Sequence, residues 1–311
     1  MPTVEPSLSA LPNPFLRYFL ATRPPYLSVT FFSALIGIAC AHRNGLNIAL
    51  LPAVMTVVFA LFAHAGINVL NDYYDELNGT DRINTDRVFP FTGGSRFIQN
   101  GVMTAHEVGI FGAALMGVAA IGGFWLTWHS GSGLLLIGAA GMLIGWAYSA
   151  PPLKLNSRGW GELCVAAGFI LITVGADYVQ RGSFSMLPVY PVIAYSLLVT
   201  NILYITQFPD YRADLATGKH HWVVRLGPMR ARWVYLAIVI VAYACFGVMV
   251  ATGRLPIIAL IAVLPIVLSF KAGLVLLANA VNPRQLEPAL KMTIAAASAH
   301  GLLLTIALFV S

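Results

Sequence analysis

Long stretches of this chain carry no charge at all, and this limits its fold more than any other feature. Pro24 to His42 runs 19 residues without Asp, Glu, Lys or Arg, and Asn44 to Asn71 runs 28. Val108 to Leu153 runs 46, Gly182 to Pro209 runs 28 and Trp233 to Gly253 runs 21. Leu255 to Phe270 and Met292 to Ser311 add runs of 16 and 20. A helix needs about 20 apolar residues to cross the hydrocarbon core of a bilayer. The 46-residue run holds two such helices, with a polar break at His129-Ser130-Gly131-Ser132-Gly133. Leu163 to Ala176 is only 14 residues, and spans if Asp177 lies at the membrane edge. The pattern predicts an all-α polytopic membrane protein with nine transmembrane helices. Residues 1–311 read as a single domain, with 1–22 a cytoplasmic segment before the first span.

Composition agrees. Only 10% of the residues are charged and 58% are hydrophobic, against about 25% charged in a soluble domain. A cytosolic enzyme of ordinary type, a disordered chain and a coiled coil are excluded. The net charge of +6 is therefore no nucleic-acid signal; basic loops beside an anionic leaflet account for it. The lipid bilayer is the expected partner, with no nucleic acid and no obligate protein partner. Cys40, Cys164 and Cys245 lie in apolar stretches without metal-site spacing and read as small buried hydrophobes. Met1 to Asn13 lacks a basic region followed by an apolar core, so no cleavable signal peptide is expected.

Basic residues set the orientation. Fifteen of the 18 Lys and Arg fall in the N-terminal segment or after the second, fourth, sixth and eighth spans. Arg43, Arg181 and Arg254 alone fall on the other side. By the positive-inside rule the N-terminus is cytoplasmic and the C-terminus outside, in the cell (inner) membrane.

The acids are more unevenly placed still. Asp72, Asp75, Glu76, Asp81 and Asp86 follow the second span, and Asp210 and Asp214 follow the sixth; these are seven of the 12 acids in the chain. If the second helix continues through Asp75, then Asn68, Asn71 (or Asp72) and Asp75 share one face. Asp210 and Asp214 are again four apart. Stacked carboxylates repel on a helix, and a divalent cation between them would relieve this. Cytoplasmic loops do carry charge simply to stay wet, and one Asp pair alone would read that way. Two acidic helix ends on one side, each followed by Gly and basic residues, point further. Oxygen ligands without Cys or paired His suit Mg²⁺, which commonly binds one or two carboxylates plus substrate phosphates. Arg82, Arg87, Arg96, Lys154, Arg158, Arg212 and Lys219 lie close by in sequence and could hold phosphate. The pattern is that of a diphosphate cradle at the mouth of an apolar cavity.

These loops resemble the two Asp-rich motifs of the UbiA superfamily of intramembrane prenyltransferases. Asn71-Asp72-Tyr-Tyr-Asp75-x3-Gly79-x-Asp81 and Thr92-Gly-Gly-Ser-Arg96-Phe-Ile-Gln-Asn-Gly101 are similar to its 1,4-dihydroxy-2-naphthoate (menaquinone-pathway) branch. So are Asp210-x3-Asp214-x3-Gly218-Lys219, Val224-Arg-Leu-Gly227, Thr22-Arg23-Pro24, Tyr148-Ser-Ala-Pro-Pro-Leu-Lys154 with Arg158-Gly-Trp-Gly-Glu162, and Tyr178-Val-Gln180 with Gly182. The chain departs from the pattern at Gln207, Phe208-Pro209 and His220-His221.

The resemblance implies nine helices around a central cavity. It implies transfer of a polyprenyl group from its diphosphate to an aromatic acid, with carbon dioxide lost if the acceptor is a naphthoate. Mg²⁺ would sit on Asn71, Asp75, Asp81, Asp210 and Asp214. Arg23, Arg96, Lys154, Arg158, Arg212 and Lys219 would bind the diphosphate, with Lys154 also meeting the charge that develops as the C–O bond breaks. Asn68, Asp72 and Tyr148 would orient or deprotonate the acceptor. The alternatives are 4-hydroxybenzoate or another phenol as acceptor, and a secondary transporter of an anionic metabolite. A transporter would carry its charges near the midplane; here they lie at helix ends.

Overall fold

The computed structural model describes residues 4–311, and among these every regular element is helical. A short helix, α1 (Pro14–Ala21), precedes the first span, α2 (Pro24–Arg43). Then follow α3 (Leu50–Asn78), a single turn α4 (Thr80–Ile83), α5 (Ala105–Ser130), α6 (Leu134–Ser149) and α7 (Gly161–Arg181). The second half holds α8 (Val189–Ala216), the short α9 (Trp222–Leu226), α10 (Pro228–Ala251), α11 (Ile266–Asn279) and α12 (Glu287–Phe309). Eight segments are long and apolar enough to cross a membrane, and α6 is a shorter apolar helix of 16 residues between two of them. Together they are the nine expected crossings.

The boundaries differ in instructive ways. The fifth crossing is a full 21-residue helix, because α7 extends past its charge-free run at both ends. It accommodates Asp177 through two 2.8 Å hydrogen bonds from Arg181, one turn on. The eighth crossing is split: a 3₁₀ stretch, Ile257–Val263, gives way to α11 just after Pro265. The acidic residues expected in loops are largely helical. α3 continues to Asn78, and Gly79 (φ +82°) ends it in a left-handed C-cap. α8 runs through Pro209 to Ala216, although the proline ring removes the amide that Ile205 would accept from.

α8 is the central helix. Tyr195, Tyr204, Ile205 and Phe208 are fully buried along it, and it packs against α7, α10 and α12. By contrast Phe124, Trp128, Ile257 and Leu264 are more than 60% exposed, the surface of a protein that faces lipid. Where helices approach most closely, small residues make room. Ser33 on α2 and Thr173 on α7 bond to each other at 2.8 Å, and each hydroxyl also reaches the other helix's backbone. A Cβ built on Gly37, one turn along, would lie 2.2 Å from the Thr173 carbonyl oxygen.

Inside this frame lie two adjoining cavities. An apolar chamber of about 510 Å³ is walled mainly by α3, α5, α6 and α7. A polar cavity of about 190 Å³ opens at the ends of α3 and α8. Both are lined by His64, Ile67, Asn68, Tyr148, Val165 and Phe169.

The α2–α7 contact yields a stability test. Gly37→Ala drives a methyl into a backbone oxygen and costs about 1–3 kcal/mol. Gly117→Ala meets open space and leaves the thermal midpoint unchanged or higher. Equal midpoints for the two variants in detergent would contradict this packing.

Candidate active site

The polar cavity gathers side chains from widely separated stretches. α3 contributes Asn68, Asn71 and Asp75, α4 contributes Asp81, and α8 contributes Asp210 and Asp214. Arg23, Thr92 to Gly94, Tyr148, Lys219 and His221 complete the polar wall. The Thr80 and Thr217 hydroxyls meet at 2.7 Å and join the two acidic segments directly.

Cations hold the carboxylates in place. The buried Lys219 ammonium lies 2.8 Å from Asp75 Oδ1 and 3.1 Å from Asp214 Oδ1. His221 Nε2 is 2.9 Å from Asp214 Oδ2. Arg23 pairs with Asp72 just behind the wall, and the Ser95 amide donates to the other Asp72 oxygen at 3.1 Å. Asn84 Nδ2 donates to Asp210 Oδ1 at 2.6 Å. Asn71 Nδ2 bridges Asp75 Oδ2 at 3.3 Å and Ser149 Oγ at 3.1 Å.

Even so, negative charge is in excess. Asp75, Asp81, Asp210 and Asp214 line the cavity against two permanent cations, Arg23 and Lys219. Burial, then the nearby Asp75 and Asp72, push the Asp81 carboxyl well above the usual carboxylate range. Burial works to lower the Lys219 pKa, but Asp75 and Asp214 outweigh it and raise it. Asp81 Oδ2 is buried with no hydrogen-bond partner among the described residues. Gly94 comes so close that a Cβ there would lie 2.2 Å from this oxygen, and its φ of +74° also demands glycine.

These features suit a divalent cation: all-oxygen donors, an orphaned carboxylate oxygen and an ammonium already bridging two acids. Among the described residues, no three His, Cys, Asp or Glu side chains close around one point as they stand.

Nine of the residues singled out in the sequence line this cavity: Arg23, Asn68, Asn71, Asp75, Asp81, Tyr148, Asp210, Asp214 and Lys219. Asp72 is buried behind them on Arg23. Four others lie elsewhere. Lys154 and Arg158 are exposed on the α6–α7 loop, where Arg158 donates to the Pro152 carbonyl. Their loop sends Asn156 to the cavity instead. Arg212 is exposed and pairs with Asp86 at 3.2 Å. Arg96 is buried outside the wall and donates to the Asp81 carbonyl.

Sequence reasoning missed Asn84, Asn156, His221 and the Glu162–Gln207 pair, in which Gln207 Nε2 donates to Glu162 Oε1 at 2.8 Å. His221 and Gln207 gave a signal as departures from the motif, and Glu162 as the end of the Arg158-Gly-Trp-Gly-Glu162 match. His64, on the wall shared by both cavities, is held by its neighbours: its Nδ1 meets the Thr30 hydroxyl at 2.6 Å, and its ring stands edge-on to Phe169.

The model of the UbiA prenyltransferase family matches residues 30–296. The chain belongs to this family. It is an integral membrane prenyltransferase, which removes the transporter alternative. It is 27% identical over 232 residues to the 1,4-dihydroxy-2-naphthoate octaprenyltransferase of Escherichia coli (strain K12), covering 72% of this chain and 73% of that protein. It is 29% identical over 250 residues to the 2-carboxy-1,4-naphthoquinone phytyltransferase of Synechocystis, covering 77% of this chain and 75% of that protein. A UbiA homolog from Archaeoglobus fulgidus, solved with DMAPP and Mg²⁺, shares the fold at a TM-score of 0.64. That likeness covers 93% of this chain and 99% of the other, at 19% identity.

The charge excess predicts an unusual stability effect. A carboxyl with a raised folded-state pKa costs the fold most above that pKa, and nothing once pH falls below its unfolded value of about 3.9. In excess chelator at pH 7, Asp81→Asn therefore melts a few degrees higher than the parent protein. The gain shrinks as pH falls toward 4. A lower midpoint for Asp81→Asn across this range would show that the carboxylate is not under electrostatic stress.

Proposed function

We propose that this enzyme transfers a polyprenyl group from its diphosphate onto 1,4-dihydroxy-2-naphthoate, with loss of carbon dioxide to give a demethylmenaquinone. The whole chain serves as one catalytic domain. The observation that carries the reading is the pairing of the two cavities: a carboxylate-rich cavity adjoins an apolar chamber, and the two share a wall. A diphosphate suits the first and an isoprenoid tail the second. The names of the relatives support a naphthoate as acceptor.

Charge balance supports a divalent metal. A diphosphate would not enter a cavity with four carboxylates and two cations unless further cations came with it. Asn71, Asp75, Asp81, Asp210 and Asp214 would hold Mg²⁺, which when bound neutralises the leaving diphosphate as a Lewis acid. Half-buried Arg23 and buried Lys219 are charged at neutral pH and would hold diphosphate oxygens. Asn68 and Tyr148, on the wall shared by both cavities, are placed to orient the acceptor beside the allylic carbon. The apolar chamber excludes water, which would otherwise capture the allylic cation. The acidic helix ends and the N-terminus are assigned to the cytoplasmic side of the cell membrane, on the distribution of basic residues.

The test is direct. Purified protein is incubated with Mg²⁺, a labelled prenyl diphosphate and a panel of aromatic acids. Prenylated naphthoate with matching release of carbon dioxide is expected. Preferential labelling of 4-hydroxybenzoate would move the acceptor to the phenol class while leaving the transfer reading intact.

Excess chelator stops turnover. Asp75→Ala and Asp210→Ala each lower it by more than about 100-fold, the scale of several kcal/mol of lost charge stabilisation, in protein that stays folded. Near-normal rates in either variant would refute the ligand assignment.

Lys154→Ala, by its exposed position, changes single-turnover rates less than about threefold, since exposed charges away from the chemistry contribute little. A larger drop would mean that its loop closes over the cavity in the loaded enzyme.

A further inference from the structure

The segment ahead of the first span does more than lead into it. It lies across the loop between α4 and α5, which supplies Phe91, Thr92, Gly93 and Gly94 to the cavity wall. Pro6 and Leu11 are buried, and Leu11 joins an apolar cluster with Phe97, Val102 and Met103 of that loop. Asn100 Nδ2 donates to Glu5 Oε2 at 3.1 Å and to the Pro6 carbonyl at 3.0 Å.

Glu5 is the charged centre of this contact. Its Oε1 lies 2.6 Å from Arg87 Nη2, and its Oε2 lies 3.8 Å from Arg96 Nε. Each arginine also grips the backbone of a residue at the cavity. Arg87 Nη1 donates to the Asn84 carbonyl at 2.6 Å, and Asn84 in turn holds Asp210. Arg96 Nη1 donates to the carbonyl of Asp81. The Arg87 stem also supports the cavity wall: a Cβ on Gly93 would lie 2.6 Å from Arg87 Cβ.

Two features show that this loop needs a brace. The two guanidiniums repel: burial first, then the Arg87 charge, lowers the Arg96 pKa. Arg96 also adopts a left-handed backbone, φ +66°, beside the left-handed Gly93 and Gly94. A non-glycine residue in that region is strained and persists only where its surroundings over-determine it. Glu5 is the anion set between the two cations.

We propose that Glu5 is a positioning residue: through Arg87 and Arg96 it fixes residues 81–96, and so the placement of Asp81 and of the Asn84–Asp210 pair in the metal–diphosphate cavity. The metal part of this inference rests on the function proposed above; the positioning part does not.

The test compares the full-length protein with Glu5→Gln, which keeps the shape and loses the charge, and with Glu5→Asp, which keeps the charge. Hydrogen exchange is followed by mass spectrometry in nanodiscs, with and without Mg²⁺ and inorganic pyrophosphate. In Glu5→Gln the amides of residues 81–101 are expected to exchange several-fold faster while those of α8, α10 and α12 are unchanged. The Mg²⁺ concentration that half-protects residues 81–101 in the presence of pyrophosphate should rise about tenfold, the scale seen when a ligand's supporting partner is lost. Glu5→Asp should recover most of both effects. Unchanged exchange at 81–101 would overturn the proposal. So would faster exchange spread evenly over the whole molecule, or no recovery in Glu5→Asp. If Mg²⁺ and pyrophosphate protect nothing in the parent protein, the metal–diphosphate reading fails, and exchange at 81–101 without ligand still decides the role of Glu5.

Discussion

The structure is organised around a surplus of buried negative charge. Four carboxylates face one small cavity with only Arg23 and Lys219 as permanent cations among them. In a medium of low effective dielectric, such a set is tolerable only if every oxygen finds a positive or donating partner. Much of the local architecture answers this demand. Lys219 reaches back from beyond the end of α8 to stand between Asp75 and Asp214. His221 and Asn84 each supply a donor to one acid, and Arg23 is held in a left-handed turn against Asp72. Among the described residues Asp214 Oδ1 has no hydrogen bond but stands beside Lys219, whereas Asp81 Oδ2 has neither hydrogen bond nor ion pair, and that oxygen is the strongest physical argument for a metal.

Under the proposed function, the two cavities would divide the labour of a reaction whose substrate is itself divided. A prenyl diphosphate is charged at one end and hydrocarbon at the other, and it would lie across the wall that the cavities share. That wall carries His64, Asn68 and Tyr148, polar side chains that on this reading would orient a ring hydroxyl without trapping a carbocation as a carboxylate would. The smaller helix α6 and the glycines along it shape the chamber on one side. Gly138 and Gly141 meet nothing where a side chain would be, so they line space instead of packing against a neighbour.

Most of the fold was legible because charge-free runs translate directly into spans. The count of nine follows from run lengths alone, and the break at His129–Gly133 lies where α5 gives way to α6. Boundaries were less legible, because a helix can carry acids beyond the bilayer and can pass through a proline once tertiary packing supports it, as α8 does at Pro209. In the cavity, residues on α3 and α8 were legible because helical spacing places them. Loop residues were not: Lys154 and Arg158 looked suitable by charge, yet their loop turns Asn156 inward. Asn84 and Asn156 carry no local pattern that marks them, and Glu162 stood out only as the end of a motif, without a role. Their roles come from contacts such as Asn84 to Asp210, 126 residues apart.

The acids also stand at the wrong ends of their helices. The C-terminal end of a helix carries partial negative charge from its unpaired carbonyls, so carboxylates there are disfavoured by about 0.3–1 kcal/mol each and cations favoured. The last turn of α3 carries Asp75 and Glu76, the last turn of α8 carries Asp214, and neither turn has a basic residue. Two helix ends of the same polarity, each loaded with acids, are thus brought face to face. The arrangement opposes helix electrostatics, carboxylate repulsion and burial at once. A fold that only needed capped helices would place Lys or Arg in these turns. Acids in both turns make sense if the cation comes from outside the chain, and a bound metal with its diphosphate would carry it in.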